Sequence, residues 1–207
     1  MLNVLVLCDD CWHPAETVMR SLNQLSKQDF ALDYVCAPRD ILSKAMIRQY
    51  DAIVLARGNS FSPALHDKRW FDRDWCEVMP EDFEAYVREG HGFLSLHAGN
   101  CFRSNDCPEM VSFLGNDFIS HPPQCPVTVR ATKPHPITEG VKTFTARDEH
   151  YIIRLTAPDA DVFLESASDT EAGCQVAGYT RRIGRGRLCV LTPGHTLSAL
   201  SAPNTSK

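Results

Sequence analysis

The run Leu2-Asn3-Val4-Leu5-Val6-Leu7 is apolar almost throughout. A strand with one wet face alternates apolar and polar residues, whereas a strand covered on both faces does not, so this run reads as a central strand of a parallel sheet. Behind it, Pro14 sits where a helix begins, and Val18, Leu22 and Leu25 recur at helical spacing. The two textures then alternate. Strands are expected over 31–37, 51–56 and 93–96, and helices over 80–89 and 108–114. A short helix is expected within 38–50, with Ile41, Leu42, Ala45 and Met46 as its apolar stripe. This alternation constrains the chain to an α/β fold of three layers with a mainly parallel sheet. Past residue 114, Pro122, Pro123, Pro126, Pro134 and Pro136 punctuate shorter strands over 127–130, 151–154, 162–165, 175–180 and 187–191, with a hairpin turn at 182–186. The C-terminal half therefore adds antiparallel strands to the parallel core.

A chain of 207 residues reads as one domain, large enough to bury roughly 70% of its unfolded surface. The formal charge of −5 and the lack of a Lys/Arg-rich run argue against a nucleic-acid partner. The arginines between 181 and 187 are interrupted by Ile183, Gly184 and Gly186 and read as a solvated turn. No apolar run approaches the roughly 18 residues of a membrane span. The first residues lack the basic region and cleavage site of a signal peptide, so a cytoplasmic protein with nine reduced cysteines is expected. Cys8 and Cys11 form a C-x-x-C without a second pair, and a structural role is the simpler reading.

Chemistry is expected at the carboxyl ends of the parallel strands, where open α/β sheets bind ligands. Ser95-Leu96-His97-Ala98-Gly99 has the form of a nucleophile elbow, a tight turn after a strand that pushes one side chain into a cleft. Ser or Cys normally occupies its centre; in this chain it is His97. Asp10 and His13 follow the first strand, Arg57 and Asn59 the third, Asn100 the elbow strand, and Thr192 and His195 the last. His97 and His195 each stand just past an apolar strand beside glycine, and can serve as an acid/base pair or as ligands of one divalent metal, zinc or manganese. In Asp148-Glu149-His150-Tyr151, alternation would send Asp148 and His150 to one face and Glu149 and Tyr151 to the other; Glu149 is taken for the site. His66, His91 and His121 read as ordinary structural or surface histidines. The segment 58–79 is long for a βα loop and carries Phe61, Trp70, Phe71 and Trp75; it reads as an ordered flap over the strand ends or as a satellite apolar cluster.

Several segments together resemble the trehalose-utilisation (ThuA-like) family: Asp10 to Glu16, Gly90 to Ala98, His135-Pro136-Ile137-Thr138-Glu139-Gly140, Asp148 to Tyr151, and Gly186-Arg187 through Pro193-Gly194-His195. The resemblance implies a flavodoxin-like fold of the class I glutamine-amidotransferase-like type. His97 then stands where an amidotransferase keeps its nucleophilic cysteine, and His195 matches the histidine that activates it. Without a thiol at 97, glutaminase activity is not expected, and Cys101 offers no substitute. The resemblance implies a small carbohydrate or keto-sugar as substrate and does not fix the reaction; proton abstraction next to the carbonyl of a keto-sugar, or metal-assisted chemistry, would make the chain an isomerase, lyase or hydrolase. His97, His195 and Glu149 would be catalytic, and Asp10, His13, Arg57, Asn59 and Asn100 would bind substrate. The alternative is a sugar-binding or regulatory module without chemistry. Family members commonly continue into a further helix, whereas 196–207 reads as a frayed tail, which makes a homodimer covering the bare face an expectation.

Overall fold

The first strand sends its side chains alternately to two faces, and each face has its own core. Leu5 and Leu7 point into one cluster with Ile53, Leu55, Phe93, Phe83, Tyr86, Met110 and Phe113. Val4, Val6 and Cys8 point into another with Val54, Ala56, Leu96 and Val18. Burial on both sides is the physical reason that the run lacks polar alternation. The computed structural model describes residues 1–25, 27–59 and 70–201. Phe61, His66 and the rest of 60–69, together with residues from 202 onward, lie outside the described residues; the frayed reading of 196–207 is corrected at its start, where Thr196 caps a helical turn over Leu197–Leu200.

The strands are β1 (Leu2–Leu7), β2 (Phe30–Val35), β3 (Ala52–Leu55), β4 (Gly92–Leu96), β5 (Asn116–Ser120), β6 (Cys125–Ala131), β7 (Phe144–Asp148), β8 (Ile152–Leu155), β9 (Asp161–Ala167), β10 (Cys174–Ile183) and β11 (Gly186–Leu191). The helices are α1 (Ala15–Leu22), α2 (Lys44–Ile47), α3 (Pro80–Arg88), α4 (Pro108–Leu114) and α5 (Leu197–Leu200). A mixed sheet of nine strands runs β2-β1-β3-β4-β11-β10-β9-β6-β7. Its first five strands are parallel to one another. From β10 outward every pairing is antiparallel. β5 and β8 form a separate antiparallel pair.

α3 and α4 cover the first face of the parallel block, and α1 and α5 lie on the other. α3 opens with Pro80 at its first turn, and Asp82 accepts from the Met79 amide at 3.0 Å, as a helix start with acidic residues does. α4 spans the expected residues and ends at Gly115, whose φ of +86° a side chain would resist. The short helix expected within 38–50 is present as α2, but it is shorter than the stripe Ile41 to Met46 suggests. A 3-10 turn at Pro38–Asp40 precedes its single turn, and Ile41 of the expected apolar stripe is exposed. The stripe was too short to drive a longer helix against tertiary packing. β5 and β7, which the sequence does not announce, carry polar residues that mask their period. Among the described residues no helix is long and apolar enough to cross a membrane.

Candidate active site

β4 ends at Leu96, and the next residue, His97, turns with φ of +42°. A non-glycine residue in this region costs about 1–3 kcal/mol and is kept where the surroundings enforce it. The elbow is thus present, with an imidazole at its apex. His97 is buried, and its Nδ1 lies 2.8 Å from the Thr192 carbonyl oxygen at the end of β11. A carbonyl only accepts, so Nδ1 carries the proton and Nε2 keeps its lone pair. Nε2 is 2.9 Å from the Tyr151 hydroxyl, which must therefore donate to it. The Tyr151 oxygen in turn accepts from the Cys101 thiol at 3.0 Å. Burial pushes His97 below the ordinary imidazole range, only partly offset by Glu149. Burial also pushes the Tyr151 phenol well up and the Cys101 thiol to about 12, so both keep their protons at neutral pH.

His13 enters from the turn after β1. Asp10 is buried there, and its Oδ1 accepts from the amides of Trp12 at 2.9 Å and His13 at 3.0 Å and from His13 Nδ1 at 2.8 Å. Its Oδ2 accepts from the Gly58 amide at 2.8 Å, tying the turns after β1 and β3 together. Burial raises the Asp10 carboxyl, but the bonds from His13, Gly58 and Trp12 outweigh it and hold it below the ordinary range. Asp10 fixes the proton of His13 on Nδ1 and leaves Nε2 as an acceptor. That Nε2 is buried and has no hydrogen-bond partner among the described residues.

Glu149 lies just past β7, at the far edge of the sheet in strand order, yet its carboxylate reaches the same point. Oε2 is 3.1 Å from His195 Nδ1, 3.5 Å from His97 Nε2 and 3.7 Å from His121 Nε2. Burial raises the Glu149 carboxyl, but the surrounding imidazoles outweigh it and hold it far below the carboxylate range. The same carboxylate raises His195 above its ordinary value. The loop carrying His195 is held by the neighbouring acid. Asp148 is buried, and its two oxygens accept from the amides of Gly194 and His195, each at 2.8 Å.

These groups lie at a cleft of about 1080 Å³, whose lining includes Asp10, Trp12, His13, Asn59, Arg103, Asp106, Phe118, His121, Glu149, Tyr151 and His195. The sequence-derived residues thus divide. His13, Glu149 and His195 line the cleft together, and His97 meets them from behind. Asp10 positions His13. Asn59 also lines the cleft, and its amide accepts from the Phe71 amide at 3.1 Å and donates to Asp106 at 3.3 Å. Arg57 and Asn100 do not reach the cleft. Arg57 is buried with its guanidinium 5.1 Å from the Trp70 ring. Asn100 accepts from Ser95 Oγ at 2.7 Å and donates to the Leu191 carbonyl at 2.9 Å, so it braces the elbow. Trp70 and Phe71 of the expected flap pack on Phe83 and Phe102 in the main core. His91 stacks on Tyr86 away from the cleft, but His121, read as an ordinary histidine, is at it. Reading the sequence also missed the roles of Asp148 and Tyr151. Tyr151 had a signal, since alternation puts it on the same face as Glu149.

The family model for ThuA, described as trehalose utilisation, matches residues 3–207. No curated protein matches the chain. Among solved structures, a ThuA-like protein of Parabacteroides merdae aligns with a TM-score of 0.71 and 18% identity, over 100% of this chain and 92% of its own. A ThuA-like protein of Bacteroides uniformis aligns with a TM-score of 0.71 and 21% identity, over 96% of this chain and 84% of its own. The cold-adapted β-galactosidase of Rahnella sp. R3 aligns with a TM-score of 0.63 and 14% identity, over 97% of this chain but 30% of its own. At these identities the structural likeness speaks for the fold, and it is the match along nearly the whole sequence that makes this chain a member of the ThuA, or trehalose-utilisation, family.

Proposed function

We propose that this chain is an enzyme of carbohydrate metabolism that acts on a sugar or keto-sugar held in the cleft, with Glu149, His195 and His97 as its reacting centre. The observation that carries this reading is the convergence of three imidazoles and one carboxylate from four distant segments at one cleft. Such a cluster polarises a carbonyl or hydroxyl and moves a proton, which is the chemistry of isomerisation, elimination or hydrolysis of a sugar. Family membership supports the carbohydrate. The aromatic and planar polar groups on the walls, among them Trp12, Asn59 and Asp106, suit the apolar and hydroxylated faces of a pyranose. Glutamine hydrolysis is not proposed, because the elbow carries no thiol and Cys101 stays protonated. The order β2-β1-β3-β4-β11 of the parallel block supports a flavodoxin-like, amidotransferase-like fold, whose strand order is 2-1-3-4-5. The nine free cysteines support a reducing, cytoplasmic setting.

The test is a panel of disaccharides and their keto derivatives, followed by mass spectrometry and NMR, with wild type beside His97→Ala. Turnover by the wild type that disappears in a folded His97→Ala protein is expected. Full turnover in that variant overturns the assignment of the centre. Binding across the panel with no turnover by wild type would make the chain a sugar-binding module.

A further inference from the structure

We propose that His13, His97, His195 and Glu149 bind one divalent transition-metal ion, zinc or manganese, with His13 as a ligand rather than a contact to substrate. The ion site stands on its own geometry; its use in activating a sugar oxygen rests on the function proposed above.

Each of the four residues offers one donor atom, and all four donors lie within 4.8 Å of one another. The three imidazole rings are nearly equidistant, with centroids 5.1, 5.1 and 5.3 Å apart, and each pair is close to perpendicular, at 74°, 74° and 75°. Rings set edge to face leave a shared space on which their ring nitrogens can converge. Stacked or scattered histidines would serve a core equally well without it. An ion bonded at about 2.0–2.2 Å needs donors about 3–4 Å apart. The Glu149 carboxylate already meets this spacing, at 3.1 Å from His195 Nδ1 and 3.5 Å from His97 Nε2.

The proton positions point the same way. A metal-binding imidazole presents one nitrogen to the ion and donates the other N–H to a carboxylate or backbone carbonyl. His13 does this toward Asp10, and His97 toward the Thr192 carbonyl, each at 2.8 Å. Both are therefore locked with Nε2 as acceptor. For His13 that acceptor is buried and unpartnered among the described residues, an arrangement that is costly unless something fills it. A pure proton relay would instead place a donor there. An ion that takes the His97 Nε2 lone pair also frees the Tyr151 hydroxyl, which holds that lone pair at 2.9 Å and lines the cleft. The released O–H is then available to a sugar oxygen. Three nitrogens and one carboxylate suit zinc, and they also suit manganese where solvent or substrate completes the shell.

The experiment uses the full chain, stripped with chelator, re-equilibrated with zinc or manganese chloride and desalted. Bound metal is measured by plasma mass spectrometry, and the fold by circular dichroism. About one ion per chain is expected in wild type and in His91→Ala, whose imidazole lies outside the cluster. Loss to near zero is expected in His13→Ala and Glu149→Gln. Cobalt titration gives a second readout, since ligation by nitrogen shows in visible absorption that these two variants should lack. Retention of one ion by both folded variants, or no ion on the folded wild type, overturns the proposal. Because no sugar is present, that outcome leaves the carbohydrate reading intact, and a failed sugar panel leaves the ion count standing.

Discussion

Gly99 approaches the Leu55 carbonyl so closely that a Cβ at position 99 would stand 2.2 Å from that oxygen and 2.8 Å from Ser95 Oγ. The carbonyl belongs to the end of β3 and cannot swing away without disturbing the sheet. Gly99→Ala is therefore expected to lower stability by about 1–3 kcal/mol or more through overpacking. The urea midpoint measures it, and an unchanged midpoint would mean that the elbow and β3 are not in the contact described.

Asp10→Ala removes one acceptor from four hydrogen bonds at once. It leaves the Trp12, His13 and Gly58 amides without this partner, and it releases His13 to rotate. A loss of about 1–3 kcal/mol is expected, with ion affinity falling about 10–100-fold as it does when a supporting partner is removed. Isothermal titration beside chemical denaturation separates the two effects. Unaltered zinc affinity in the folded variant would show that Asp10 does not orient His13.

Asp117 gives an acid-limb prediction away from the cluster. Burial raises its carboxyl, but the hydrogen bonds from Ser104 and Arg154 outweigh it and hold it below its ordinary value. The amide of Ser104 donates at 3.0 Å and its hydroxyl at 2.8 Å, and Arg154 donates as well. A depressed carboxyl stabilises the fold fully above its unfolded pKa, about 3.9, and that contribution fades as the pH falls through the lower folded value. The gap in melting temperature between wild type and Asp117→Asn should hold steady above about pH 5 and narrow below about pH 4. A gap that does not change with pH would contradict a carboxyl stabilised in its ionised form by Ser104 and Arg154.

Alkylation distinguishes the thiols. Burial pushes Cys101 to about 12, so little thiolate is present at neutral pH. Cys174 is exposed. Brief iodoacetamide treatment followed by peptide mapping should label Cys174 well before Cys101, and glutamine should release no ammonia. Rapid labelling of Cys101 would reopen a thiol role at the cleft.

The parallel half of the sheet was legible because burial on both faces leaves an apolar record. Leu2–Leu7, Ala52–Leu55 and Pro108–Leu114 fall where period and capping place them. The antiparallel half was harder. β5 reads Asn-Asp-Phe-Ile-Ser and β7 reads Phe-Thr-Ala-Arg-Asp, so polar residues hide both strands. At the site, strand ends located His13, His97 and His195, while alternation only divided Glu149 and Tyr151 from Asp148 and His150, and in the fold residues 149–151 lie between β7 and β8. Arg57 and Asn100 carried the same signal of a polar residue after a strand, yet they turn inward. A one-dimensional pattern places a residue at a rim but leaves the direction of its side chain open. The partner that fixes His97, a backbone carbonyl of Thr192, has no sequence signature at all.

The cluster draws on the turn after the first strand and on the loop after the last strand of the parallel block, so most of the chain lies between His13 and His195. Closing so long a loop costs entropy that local contacts cannot recover. The site exists only once these distant segments have docked. A ligand that grips both ends acts as a clasp on the native state alone, stabilising it by mass action because the unfolded chain does not bring these groups together. Thermal stability of this protein should then rise with occupancy of the cluster.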